Sequence, residues 1–247
     1  MLNANGIKKF GRRCFINRMS LVMTVNHDYL HSFIPLLDSL SEPWGIKDLA
    51  SRHVYMNTRA YSYTNTPTNF DIEGKSDEEF PIGWAELSDD FIEHDHRTET
   101  CAERVTVIET HYWFGKAELA PFISEKIPLF NPAKECVGIL WNARPMTTLS
   151  PLIHIDRRKP TVLKTEITTD LFTRAELDTL FLVLRRFSSK EIAKRFNLSS
   201  RTIENRIQSM YQKAGVHSFN QFEEFCYQQG LDGFIPHSLL TKGILFI

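Results

Sequence analysis

Thr173-Arg174-Ala175-Glu176 opens the stretch, residues 172 to 230, around which the rest of the chain is arranged. A Thr with Glu three residues on is a capping box, in which hydroxyl and carboxylate each satisfy a free backbone N–H at a helix start. Leu177, Leu180, Phe181 and Leu184 then recur at helical spacing and form the apolar stripe of a first helix. Ser188 and Ser189 open a second, with Ile192, Ala193 and Phe196 as its inner face. Asn197-Leu198-Ser199 is a short turn. Ser199 or Ser200 caps a third helix that carries Ile203, Ile207 and Met210 inward, and Lys213 and Gly215 end it with a cation in the last turn and a terminal glycine. A fourth runs through Phe219, Phe222, Phe225 and Cys226.

Two short helices joined by a tight turn, the second with a polar outer face, form the helix-turn-helix pattern. Ser188-Ser189-Lys190-Glu191-Ile192-Ala193, Leu198-Ser199, Arg201-Thr202-Ile203-Glu204 and Lys213-Ala214-Gly215-Val216 together resemble the four-helix DNA-binding domain of LuxR/NarL-type bacterial regulators. Two departures stand out. The family usually has Gly where Arg186 stands, and often has basic residues where Glu204 and Gln208 stand.

The resemblance implies a double-stranded promoter operator as partner. With Ile203, Ile207 and Met210 inward, Arg201, Glu204, Asn205 and Gln208 point outward. In the major groove Asn and Gln pair two-fold with adenine, Glu accepts from cytosine and Arg forks onto guanine. The family's base-facing positions fall on Glu204, Asn205 and Gln208. Lys190, Lys194, Thr202, Arg206 and Lys213 are placed for phosphates or for holding the helix.

A chain of 247 residues has room for two domains, and 42% hydrophobic with 24% charged residues describes a globular protein. No apolar run approaches a membrane span. Residues 1–25 read as a basic leader, since Met1 to Arg18 carries five Lys or Arg and no acid. Its apolar core at Leu21 to Val25 is short for a signal peptide. Cys14, Cys101, Cys136 and Cys226 lack CxxC spacing and read as reduced thiols of a cytoplasmic protein. Charge is unevenly spread. Asp28 to Ile155 holds 10 basic against 20 acidic residues, a net of −10, whereas Leu171 to Gln229 holds 9 against 6, a net of +3. Such a split suits a polyanion-binding module joined to an acidic domain.

The acidic half reads in order as a helix over 26–42, a hairpin over 44–57, a loop or short helix to 70, and an irregular piece at 80–87. A charged helix over 89–103 and strands at 105–114, 123–130 and 137–141 follow. That is an α+β order. Gly45-Ile46-Lys47-Asp48-Leu49 with Tyr55-Met56-Asn57, the turn Gly74-Lys75-Ser76-Asp77, and Lys126-Ile127-Pro128-Leu129 with Val137-Gly138-Ile139 resemble a PAS-type sensor domain. The expected organisation is a PAS-like sensing and dimerising domain at 26–145, a linker at 146–170, the helix-turn-helix domain at 171–230, and an apolar tail at 231–247 that covers a hydrophobic surface within the chain or across a homodimer.

Other chemistry finds little support in the sequence. No Gly-rich phosphate loop and no G-x-S-x-G elbow occur, and Cys101 has no telling neighbour. His94, Asp95 and His96 read as a solvated acidic helix, because residues two apart do not share a helix face. No spacing flags His53, His94, His96 or His111 as a haem ligand, so neither a metal nor a cofactor is expected. Acids are not paired on a first strand, which argues against a phospho-receiver. Trp44, Trp84, Trp113, Phe114 and Trp141 form a core or line a small-molecule pocket. The expectation is a non-enzymatic, sequence-specific transcription regulator acting as a homodimer. Its alternatives are a protein-binding regulator with little DNA binding and a quorum-sensing-type ligand-responsive regulator.

Overall fold

A computed structural model describes residues 26–148, 161–167 and 169–247. The basic leader lies outside them, as do residues 149–160 of the linker.

The helix expected over 26–42 is broken in two, a helical turn at 26–31 and α1 at Ile34–Asp38. Pro35 explains the break, since it has no N–H to give and its ring clashes with the carbonyl four residues back. Both pieces still bury one face, with Leu30 and Leu37 against Ile46 and Val137 of the sheet. The hairpin is β1, Trp44–Lys47, and β2, His53–Met56, paired antiparallel. Gly45 is required there by contact. A Cβ on it would collide with the Trp141 ring. Asn57 caps α2, Thr58–Thr64, by accepting from the Ala60 N–H at 2.8 Å. Short 3-10 turns at Asp77–Glu79 and Gly83–Leu87 lead into α3, Ser88–Cys101.

Three long strands complete the sheet: β3, Val105–His111; β4, Ala120–Phe130; and β5, Cys136–Pro145. The strand expected over 105–114 ends at His111, and its alternation holds only in part, since Thr110 is buried between Glu109 and His111. Val107, Glu109 and His111 face inward, and Trp113, just past the strand, is buried with them. The helix α3 corrects an expectation. His94, Asp95 and Thr98 are buried instead of solvated, and only its other face, which includes His96, meets water.

After β5, Thr147–Thr148 (β6) pairs with Thr161–Val162 (β7). Lys164 then bridges to Phe234, and the Thr161 hydroxyl donates to Asp232 at 2.9 Å, so the linker's end rests on the C-terminal half. Four helices follow: α4, Arg174–Leu184; α5, Ser189–Phe196; α6, Ser200–Ala214; and α7, Phe219–Gln228. Thr173 and Ser188 each close a capping box, with Glu176 and Glu191, and Ser199 caps α6. Leu180, Ile192, Ile203, Met210 and Phe222 are fully buried between the helices. Arg186 has φ +63°, which is why glycine is usual there. Its guanidinium lies 3.5 Å from the centre of the Phe219 ring.

The apolar tail divides its work. Leu231 and Phe234 complete the helical core. Gly243–Phe246 forms β8, which pairs antiparallel with β3 and makes the sheet six-stranded in the order β2-β1-β5-β4-β3-β8.

Candidate functional site

Between the sheet, α2, α3 and the 3-10 turns lies a small internal cavity of about 40 Å³. Trp84, Trp113 and Trp141 of the expected pocket do line it, with Tyr63 and Phe91. Trp44 and Phe114 do not. Trp44 packs with Tyr55 and Leu140 in the cluster beneath α1, and Phe114 is 43% exposed at φ +59°. Tyr63 stacks on Trp113 at 4.4 Å between ring centres. The indole nitrogens of Trp113 and Trp141 and the Nδ1 of His53 are buried without a hydrogen-bond partner among the described residues. Such atoms in a cavity wall mark where a ligand or water can bind.

The cavity floor is ionic, and the sequence reading missed it. Lys47 at the end of β1 contacts Asp77 and, at 3.2 Å, Asp95 of α3. Lys126 of β4 contacts Asp95 and donates to the Phe91 carbonyl at 2.8 Å. His53 of β2 meets Asp77 at 2.9 Å. Burial alone would raise the Asp77 and Asp95 carboxyls, but Lys47 and His53 outweigh it at Asp77, and Lys126 and Lys47 at Asp95, and hold both below the usual carboxylate range. Burial would likewise lower Lys47, yet its two carboxylates keep it raised. For Lys126 burial prevails over Asp95 and the amine is lowered. Burial also lowers His53. Among the described residues, Glu109 of β3 has no cation within bonding distance. It accepts from the Tyr63 hydroxyl at 2.6 Å, and burial pushes it up to about 7. One sequence signal was available for these residues. Lys47, Glu109 and Lys126 are charges at inward-pointing strand positions, where a structural role demands an apolar residue.

A second candidate surface is the outer face of α6. Arg201, Thr202, Glu204, Asn205 and Gln208 are exposed along it, while Ile203 and Met210 anchor the opposite face. Lys190 and Lys194 are exposed on α5, with no ion pair among the described residues. Arg206 and Lys213 are engaged with α4. Arg206 donates to the Ala175 carbonyl at 3.1 Å and to Thr179 at 2.9 Å. Lys213 pairs with Glu176 at 2.7 Å. Burial would raise Glu176, but Lys213 and the Thr173 cap bring it down to about 2.

The strand β8 links the two halves. Lys242, just before it, donates to Glu86 at 2.6 Å, and His111 of β3 meets the same carboxylate oxygen at 2.9 Å. These two bonds hold Glu86 below its ordinary pKa. Arg97 of α3 lies 4.0 Å from the centre of the Phe246 ring. No helix among the described residues is long and apolar enough to cross a membrane.

Residues 170–222 match the family of bacterial regulatory proteins described as luxR, and residues 37–150 match the PAS fold. The luxR family is one of regulators, not an enzyme class. No curated protein sequence matches. Two solved structures share the two-part fold. VqmA of Vibrio cholerae, in a complex with ligand and DNA, is 23% identical over 87% of this chain and 96% of its own, with a TM-score of 0.73. A phage VqmA in complex with DPO is 24% identical over 89% of this chain and 96% of its own, with a TM-score of 0.64.

Proposed function

We propose that this chain, which joins a PAS fold to a luxR-family regulatory domain, is a sequence-specific, ligand-responsive transcription regulator. The observation that carries the reading is the outer face of α6. Five polar side chains from Arg201 to Gln208 are exposed there, on a helix fixed from behind by fully buried Ile203 and Met210. A helix of that kind fits the major groove, with Asn205, Gln208, Arg201 and Glu204 toward base edges. Lys190, Lys194 and Thr202 are positioned for phosphates. One such module binds weakly, so a homodimer on two half-sites is the working form. The cavity supports the ligand-responsive part. Aromatic walls over a saturated ion network suit a small, flat, uncharged molecule that can accept from an indole N–H and share a proton with Glu109. DPO, which the phage relative carries, is the first compound to try.

Selection from a random duplex DNA pool with the full-length protein tests this function. The sites recovered should converge on an inverted repeat with half-sites one helical turn apart. A pool that stays unenriched, with or without added DPO, would favour the protein-binding alternative.

A further inference from the structure

We infer that His27, His31 and Glu73 form a binding site for a divalent transition metal at the surface of the PAS fold, separate from the residues that line the cavity. His27 and His31 are one turn apart in the helical turn at 26–31, so both rings lie on one face. Their ring centres are 4.2 Å apart. The His27 Nε2 lies 3.1 Å from Glu73 Oε1, and the His31 Nε2 lies 3.8 Å from the same oxygen. One ligand atom from each of the three residues falls within 4.8 Å of the other two. Small side-chain rotations bring that spacing to bonds of about 2.0–2.2 Å around one ion.

An ion pair alone accounts poorly for this cluster. The His31 Nε2 is buried and has no hydrogen-bond partner among the described residues, although it faces the carboxylate. Glu73 is also held on a stiff support. Its turn is tied to β2 by the Gly74 N–H donating to the His53 carbonyl and by the His53 N–H donating to Lys75, both at 2.8 Å. Arg52 donates to the Gly74 carbonyl at 2.7 Å. Gly74 takes φ +73°, as the turn requires. Two imidazoles of borderline softness with one hard carboxylate form a mixed nitrogen and oxygen set, suited to Zn²⁺ and its neighbours Co²⁺ and Ni²⁺, with at least one position left for water. Ca²⁺ and Mg²⁺, which favour all-oxygen sites, fit poorly. A bound ion would clasp the N-terminal helical turn to the segment leading into Asp77, beside the ionic floor of the cavity. The sequence carried the signal in His27-Asp28-Tyr29-Leu30-His31, a pair of histidines four apart.

The test uses full-length protein without a polyhistidine tag, stripped of metal and titrated with Co²⁺, then with Zn²⁺ in competition. Visible absorption reports coordination, and calorimetry reports stoichiometry. One equivalent should bind with a saturating cobalt spectrum that Zn²⁺ displaces. Glu73→Gln should weaken binding by roughly tenfold or more, and the pair His27→Ala with His31→Ala should abolish it. All three residues are partly exposed, so circular dichroism should show these variants folded. Absence of saturable binding in the parent protein would overturn the site and leave an ion pair only. So would equal binding in parent and double variant, which would place the metal elsewhere, such as near His96 and Glu93 on α3.

Discussion

Glu109 and Ile244 stand directly opposite one another in the ladder between β3 and β8. One residue lines the cavity, and the other belongs to the chain's last strand, which follows the helix-turn-helix in sequence. The strand that carries the Glu109 carboxyl is therefore hydrogen-bonded to a segment tethered to the helical C-terminal half. A ligand that changes the charge or position of Glu109 acts one strand away from that tether.

Deleting residues 242–247 removes this ladder and the Lys242–Glu86 pair. Each lost hydrogen bond is worth about 0.5–1.5 kcal/mol, so the truncated chain should lose a few kcal/mol by urea denaturation while keeping its helical content. It should also lose any ligand-dependent change in DNA affinity. Unchanged stability would mean that β8 does not hold to β3 in solution.

Ionisation of Glu109 should make stability fall as pH rises. Its folded pKa of about 7 lies above the ordinary 4.5, so the folded chain holds this proton more tightly than the unfolded chain. The contribution is complete below about 4.5 and is lost as pH rises through 7. By linkage the change is on the order of 3 kcal/mol. Asp77 and Asp95 act in the opposite sense, since their lowered values favour folding above the ordinary carboxylate range and lose that contribution as pH falls. Glu109→Gln keeps an acceptor for Tyr63 and should flatten the decline between pH 5 and 8. Urea midpoints at the two pH values decide the matter, and an unaltered slope in the variant would assign the decline to another group.

Asp95 holds Lys47 and Lys126 together in the cavity floor. Asp95→Ala leaves two buried ammonium groups with one remaining carboxylate, Asp77. Breaking a buried pair in this way costs about 3–5 kcal/mol. A loss below 1 kcal/mol, measured by the same denaturation, would mean that water reaches the site and solvates both amines.

The helical half was legible residue by residue, because its caps and stripes are local. Thr173 with Glu176 and Ser188 with Glu191 are contacts between residues three apart, which sequence spacing states directly. Arg186 was legible as a departure, and its positive φ supplies the reason. The sheet half was legible in its alternation, as at Val107, Glu109 and His111. Its cavity was only half legible. Lys47, Asp77, Asp95 and Lys126 come from four separate elements, and nothing local reveals that Asp95 answers two lysines at 31 and 48 residues' distance. Pro35 interrupts an apolar stripe that runs on from Leu30 to Leu40, so periodicity alone reads one helix where the chain makes two. The tail's partner strand could not be read at all, since β3 and β8 are joined only by tertiary folding.

The most direct measurement is fluorescence anisotropy of the full-length protein on its own upstream DNA across a salt series, with Asn205→Ala and Lys190→Ala alongside. Asn205→Ala should cost about 1–3 kcal/mol on the cognate site, relax preference at one position per half-site, and leave the salt slope unchanged. Lys190→Ala should weaken every sequence alike and reduce the slope by roughly one unit per binding module. If Asn205→Ala binds all duplexes as the parent does, and neither protein prefers any sequence, the outer face of α6 does not read DNA and the account of this chain as a sequence-specific regulator is wrong.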